Sequence, residues 1–211
     1  MRTKISLDGT WQYWTDKKPI YSQLETGEFK ENLSDFVSSK EWKKCIIPSV
    51  WNLYEDDLYK FYGTVFFKKI FRTPVSFEKD MTSFIAFGGV NYKAWIWVNG
   101  KFIEAHERGY TSFKIDISDV IKETPGSENQ LVVAVDNSWG HDDWLPWVRQ
   151  VDFFNYGGIH RSVELLILPR AYIADFTFFH DIEFDGKTPK VIPANLTVNF
   201  NNTLNSAVPT E

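Results

Sequence analysis

The chain has 211 residues, a length that suits one domain, or one domain with a fragment of a second. Its formal net charge is −5, and its lysines fall in isolated pairs such as Lys17-Lys18, Lys43-Lys44 and Lys68-Lys69. No basic stripe is present, which argues against a nucleic-acid partner. No apolar run reaches the roughly 20 residues that a membrane-spanning helix requires, so no membrane partner is expected.

Aromatic residues make up 17% of the chain, with nine Trp, nine Tyr and eighteen Phe. That load suits β-sheets, where rings pack well on pleated faces. It also suits binding of rings or sugars by flat apolar contact. The single cysteine, Cys45, excludes an internal disulfide framework and reads as a small core residue. The four histidines lack metal-ligand spacing, so neither a metal nor another cofactor is expected. The opening "MRTKISLDGTW" lacks the apolar core of a signal peptide. The compartment stays open: cytoplasmic or, where a signal has been removed, periplasmic or secreted.

In chain order, residues 15–45 are polar and weakly patterned, consistent with loops and a short helix. "TVFFKKIF" (Thr64–Phe71) reads as a strand, and "SFIAF" (Ser83–Phe87) as another that runs into Gly88-Gly89. "AWIWVNGKFIEAH" (Ala94–His106) is two runs joined by Asn99-Gly100. Asn-Gly tolerates the positive φ angles of a type I′ turn, so this is a hairpin. Its first arm is apolar on both faces, with Ala94, Ile96 and Val98 opposite Trp95 and Trp97. Such a strand belongs in the middle of a sandwich, or under a loop or a neighbouring domain.

"SFKIDI" (Ser112–Ile117) alternates Phe113, Ile115 and Ile117 against Lys114 and Asp116, the pattern of a half-buried strand. "DISDVIKE" follows as a helical turn in which Ser118 caps Asp119–Lys122. "NQLVVAVDN" (Asn129–Asn137) and "SVELLIL" (Ser162–Leu168) complete this set of strands. After Pro169 come "YIADFTFF" (Tyr172–Phe179) and "ANLTVNFN" (Ala194–Asn201). Many short strands separated by turn signals indicate an all-β fold, most naturally a jelly-roll β-sandwich.

With these strands in order, the chain resembles the N-terminal sugar-binding domain of glycoside hydrolase family 2, which includes β-galactosidases, β-glucuronidases and β-mannosidases. "ISLDGTWQY" resembles that family's opening strand, and "IPSVWN" with "YGTVFFKKIF" the next block. "FGGVNYKAWIWVNGKFIEAHERGYTSFKIDISDVI" resembles the central block almost throughout. "DFFNYGGIHRSVELLILP" resembles the signature, nearest to its β-glucuronidase form. The resemblance implies a galactose-binding-like jelly roll over residues 1–169. It also implies that residues 170–211 are the truncated start of an immunoglobulin-like β-sandwich.

In the family the chemistry belongs to a TIM barrel that follows the second domain. A retaining glycosidase needs two carboxylates about 5–5.5 Å apart. The family's acid/base glutamate follows an asparagine, and no Asn-Glu dipeptide occurs here. Too few residues follow Pro169 for a barrel of roughly 250. No catalytic residue is therefore expected in this chain. The expected partner is a β-glycoside carbohydrate, shared with a barrel that this sequence does not contain. A homo-oligomer of the full-length enzyme is compatible with the resemblance.

The resemblance also suggests site residues. Asp152 matches the signature aspartate, whose loop reaches the barrel mouth and binds the sugar in the first subsite. Asn52, in "PSVWN", matches by order an asparagine that reaches substrate in some β-galactosidases, although a turn asparagine is the plainer reading. Gly157 and Gly158 read as backbone-geometry residues, and Arg161 as an anchor for loop carbonyls or carboxylates. Phe153, Phe154 and Tyr156 read as residues that pack against the barrel. Trp139, Trp144 and Trp147 either rim the aglycone side of a pocket or sit at a domain seam. Three functions stay open: the non-catalytic domain of a retaining β-glycosidase, an independent carbohydrate-binding module, and a structural sandwich for assembly.

Overall fold

A computed structural model describes residues 2–15, 24, 29–78, 81–138, 154–180, 182–190 and 195–202. The chain divides into two compact units, one over Thr3–Ile167 and one over Leu168–Glu211 with Met1–Arg2. The first unit is an open sandwich of two antiparallel sheets. Its four-stranded sheet runs β1 (Thr3–Ser6), β12 (Val163–Pro169), β5 (Met81–Phe87), β9 (Phe113–Asp116). Its six-stranded sheet runs β3 (Lys43–Ile47), β2 (Gly9–Trp14), β4 (Thr64–Arg72), β10 (Glu128–Asp136), β7 (Lys93–Val98), β8 (Lys101–Glu107). This is the jelly-roll class of β-sandwich that the strand pattern indicates.

The two-faced apolar strands have a physical reason. On β10, Leu131, Val133 and Val135 enter the core between the sheets. Ala94, Ile96 and Val98 of β7 enter the same core. The opposite faces carry Val132, Ala134, Trp95 and Trp97, which form a second apolar cluster with Leu24, Leu33 and Val37. Leu33 and Val37 lie one turn apart on the helix α1 (Phe29–Ser38), so one helical stripe covers the outer face of the sheet. Phe36 on that helix makes ring contacts with Trp14 at 5.1 Å and Phe66 at 4.7 Å. The polar 15–45 stretch thus supplies the lid that Trp95 and Trp97 require.

The hairpin turns at Asn99 (φ 52°) and Gly100 (φ 83°), both in the left-handed region a type I′ turn needs. Asn99 does a second job. Its side chain accepts from Gln130 N at 2.9 Å and donates to Val120 O and Asn129 Oδ1, each at 2.8 Å. The turn is thereby fastened to β10. Cys45 is buried in the inter-sheet core and free of disulfide, and burial pushes its thiol up to about 11.

One local expectation is corrected. "DISDVIKE" makes the expected turn, with Ile121 N donating to Ile117 O at 2.9 Å, but its cap differs. Ser118 does not cap it. Its Oγ accepts from Ser83 N at 2.9 Å and donates to Asp116 Oδ1 at 2.6 Å. Ser83, on β5, is fully buried, so its N–H needs a protein acceptor more than an exposed turn needs a cap.

His106 on β8 stacks on Phe113 with ring centroids 3.6 Å apart, and its Nε2 is buried without a partner among the described residues. Burial, and then the Arg108 charge, lower its pKa, while Glu107 opposes the shift. The unfolded chain therefore binds a proton that the folded chain resists. This contribution is absent above the unfolded value near 6.5 and destabilises the fold as pH drops below it toward the lowered folded value. Thermal melts at pH 7.5 and 5.0 should show a smaller acid-induced drop in His106→Phe than in the parent chain. Equal drops would refute the assignment.

In the second unit, β13 (Ala171–Phe179) pairs antiparallel with β16 (Asn195–Asn202), with a register shift between Ile173 and Asp175. A short hairpin, β14 (Phe184–Asp185) with β15 (Thr188–Pro189), accompanies it. Phe176, Phe178, Phe179, Leu196 and Phe200 are all more than half exposed. A two-stranded ribbon that leaves such rings in water is marginal alone.

Candidate substrate-facing site

The site is built where the signature turn meets the loop after β3. Two single 3₁₀ turns, Trp51–Leu53 and Asp56–Leu58, shape that loop. Trp51 is fully buried, and its N–H donates to Gly157 O at 3.0 Å, while Ser49 N donates to Ile159 O at 2.9 Å. Next to these, β11 (Gly158–Ile159) pairs with β6 (Val90–Asn91). The end of the signature is therefore held by backbone bonds on two sides.

Asn52 completes this grip. It is only 5% exposed. Its Nδ2 donates to Leu58 O at 3.2 Å and Tyr59 O at 2.9 Å, and its Oδ1 accepts from Gly157 N at 3.2 Å. One amide thus ties both turns of the loop to the signature. The glycines are explained by what surrounds them. A Cβ on Gly157 would lie 2.0 Å from the Trp51 indole, and Gly158 has φ 142° with a Cβ position 2.7 Å from Ser49 O. Both positions need glycine, one for space and one for backbone as well.

Three buried asparagines lock the stems of the segment between 138 and 154. Asn91 Nδ2 donates to Asn155 Oδ1 at 2.7 Å and to Tyr156 O at 2.6 Å. Asn155 Nδ2 donates to Asn137 O at 2.8 Å, and Asn137 Nδ2 returns a bond to Asn155 O. Asn137 Oδ1 also accepts from Gly63 N at 3.1 Å. Sequence reasoning missed this network. Each asparagine follows an apolar or aromatic run ("FGGVN", "VVAVDN", "DFFN"), but nothing in the sequence says that they meet.

Asp152 and Phe153 lie outside the described residues, as does 139–150 with Trp139, Trp144 and Trp147. Phe154 and Tyr156 stand partly exposed, 5.6 Å apart, and Tyr59 meets Phe154 at 5.6 Å. Leu53, 74% exposed, adds to this apolar rim. A cavity of about 470 Å³ opens beside it, lined by Asn52, Leu53, Tyr54, Glu55, Asp56 and Tyr59. Glu55 is fixed by Lys43 Nζ at 2.6 Å and Tyr13 Oη at 2.6 Å, and these two donors lower its pKa. The same contact with Glu55 raises the Lys43 pKa. Burial, and then the Glu55 carboxylate, hold the Tyr13 phenol well above its ordinary range. Glu55 is therefore a structural anion, with no feature of a general acid.

Arg161 binds carbonyls, with Nη1 donating to Tyr110 O at 3.0 Å and Gly88 O at 3.5 Å. His160 Nε2 meets Gly109 O at 2.8 Å. Among the described residues, no cluster of three or more His, Cys, Asp or Glu could hold a metal, and no helix is long and apolar enough to cross a membrane.

Residues 4–169 match the family model described as "Glycosyl hydrolases family 2, sugar binding domain". The chain is 29% identical over 207 residues to the β-glucuronidase of Sus scrofa, covering 87% of this chain and 31% of that protein. It is 26% identical over 194 residues to the β-galactosidase of Priestia megaterium, covering 82% and 17%. Among solved structures, an uncultured Clostridium sp. β-glucuronidase aligns with a TM-score of 0.74 at 28% identity, covering 95% of this chain and 34% of that one. A Ruminococcus gnavus β-glucuronidase in complex with D-glucuronic acid aligns at 0.72 and 25% identity, covering 94% and 34%. The chain thus spans about a third or less of the relatives it matches. The match over residues 4–169, on a sandwich whose signature turn is clasped as described, means that the chain belongs to the glycosyl hydrolase family 2 sugar-binding domain family.

Proposed function

We propose that this chain is the non-catalytic N-terminal part of a retaining β-glycosidase of the β-glucuronidase type, and that its signature turn forms one wall of the substrate pocket. The observation that carries this reading is the clasp on that turn. Asn52, Asn91, Asn137 and Asn155 spend buried amides on fixing the chain around Asn155–Gly158. Buried polar networks are costly unless satisfied, and when satisfied they fix geometry. A plain connecting turn needs no such support.

In this reading Asp152, three residues before the locked Asn155, accepts sugar hydroxyls once a barrel closes over it. Asn52 acts at one remove: with its amide spent on backbone, it positions the turn. The rim of Leu53, Tyr59, Phe154 and Tyr156 packs against the catalytic part, and the exposed rings of β13 and β16 are covered by further strands of an immunoglobulin-like domain. The β-glucuronidase names among the relatives, and the D-glucuronic acid held by the Ruminococcus gnavus protein, favour a β-glucuronide as substrate.

The test compares the 211-residue chain with the full polypeptide that carries it, on chromogenic β-glucuronide, β-galactoside and β-mannoside. The chain alone should turn over none of them. The full polypeptide should prefer the glucuronide. Turnover that stays with the chain through purification would overturn the non-catalytic assignment, and a galactoside or mannoside preference would overturn the glucuronidase type.

A further inference from the structure

The second half of the signature grips a turn of its own. Thr64, Asp136, Lys93 and Glu107 stand in one row across the six-stranded sheet. The turn that follows β8 therefore leaves the sheet at the same end as Gly63 and Asn137, where the signature turn is clasped. In this turn Arg108 is held at φ 135°, a backbone angle that is strained for any residue but glycine. The next two carbonyls show what holds it. His160 Nε2 donates to Gly109 O at 2.8 Å, and Arg161 Nη1 donates to Tyr110 O at 3.0 Å. A carbonyl only accepts, so Nε2 of His160 carries the hydrogen. Both side chains lie close on the backbone after β5. A Cβ on Gly89 would come within 2.8 Å of the His160 ring, and one on Gly88 within 2.8 Å of the Arg161 Cβ. Gly109 in turn meets the asparagine network. A Cβ there would run into Asn91 Oδ1, which is buried and makes no hydrogen bond among the described residues. Asn91 is thus fixed on one side by its two Nδ2 bonds, to Asn155 Oδ1 and Tyr156 O, and on the other by packing on Gly109.

We propose that His160 is a positioning residue for the substrate pocket. By holding Gly109 it backs Asn91, and through Asn91 it keeps the signature turn, with Asp152 three residues ahead of Asn155, aimed at the sugar. The role of Asp152 rests on the pocket-wall reading above. The signature thereby braces its own first half, with residues 108–110 as the strut. The strain at Arg108 gives the direction of the effect: released from His160, the strut relaxes away from Asn91. Arg161 is a second tie on the same turn, so loss of His160 loosens the strut without unfolding the sandwich.

The experiment compares full polypeptides carrying His160→Leu, His160→Gln, Asp152→Ala and the double change His160→Leu with Asp152→Ala. Each is measured by steady-state kinetics on a chromogenic β-glucuronide, by a thermal melt and by hydrogen–deuterium exchange. His160→Leu keeps bulk but has no donor. It should lower kcat/KM about three- to tenfold, less than Asp152→Ala, because the carboxylate is displaced rather than removed. Its exchange should rise in peptides covering Arg108–Thr111 and Asn155–Gly158 and stay at the parent level in β4 and β10. A glutamine amide can donate to the Gly109 carbonyl, so His160→Gln should recover most of the activity and of the protection. The double variant should lose no more than Asp152→Ala alone, since the strut acts through that residue. Parent-like kcat/KM in folded His160→Leu, a loss that His160→Gln does not recover, additive losses in the double variant, a collapsed melt in His160→Leu, or unchanged exchange at Asn155–Gly158 would each overturn the proposal. The exchange involves no substrate, so it decides the strut even where an inert Asp152→Ala removes the pocket-wall reading.

Discussion

Asn155→Ala should destabilise the Thr3–Ile167 unit by about 2–5 kcal/mol, because it orphans two buried groups at once. The Asn137 carbonyl loses its donor, and one Asn91 amide hydrogen loses its acceptor. Asn91, Asn137 and Asn155 are 1%, 0% and 4% exposed, so water does not reach them freely in the native state. Each orphaned buried group costs roughly 1–3 kcal/mol, and the missing amide leaves a small void besides. For a domain of this size the drop in Tm should be about 5–15 °C. Asn155→Asp should not rescue it: the carboxylate can still accept from Asn91 but has nothing to donate to Asn137 O, and it buries a charge. The measurement is a thermal or urea melt of the parent and the two variants. A drop under 2 °C in Asn155→Ala would mean that solvent replaces the amide and that the network is not what holds the turn.

Much of the sandwich is legible in the sequence, for reasons that differ by element. The Asn99-Gly100 turn is legible because only a few residue pairs tolerate two successive positive φ angles. Strands such as Glu128–Asp136 are legible as strands, but their partners are not. An apolar run on both faces says that both are covered and leaves open by what. Trp95 and Trp97 turn out to lie under a helix drawn from a stretch that is polar in sum, and on that helix Leu33, Phe36 and Val37 carry the apolar stripe among the described side chains. Ser118 reads as a cap because capping chemistry is local, whereas the demand of Ser83 N–H comes from a strand 35 residues away. The asparagine network fails to show for the same reason. Asn91, Asn137 and Asn155 are separated by 46 and 18 residues, and nothing periodic links them. The family resemblance points to the turn, but only the packing shows why it holds its shape.

The largest functional effect is expected at Asp152. In the full polypeptide, Asp152→Ala should lower kcat/KM for a β-glucuronide tenfold to more than a hundredfold, while the melt stays within a degree or two of the parent. The magnitude follows from the chemistry. A hydrogen bond that involves a charged group, once enclosed, is worth about 1.5–3 kcal/mol, and each 1.36 kcal/mol of transition-state stabilisation is tenfold in rate. A carboxylate can accept from two sugar hydroxyls at once, which also fixes the orientation of the ring. The melt should hold because the turn is anchored from Asn155 onward by groups that the substitution leaves in place. Asp152→Asn separates two explanations. It keeps one acceptor and the size but removes the charge, so it should recover part of the loss if Asp152 contacts hydroxyls. Asn52→Ala gives the complementary case. It removes the clasp from Gly157 N and two loop carbonyls, so its melt should fall together with its activity. An unchanged kcat/KM in Asp152→Ala would reduce the residue to a turn aspartate. A melt that collapses with it would make the loss structural and remove the support for a sugar contact.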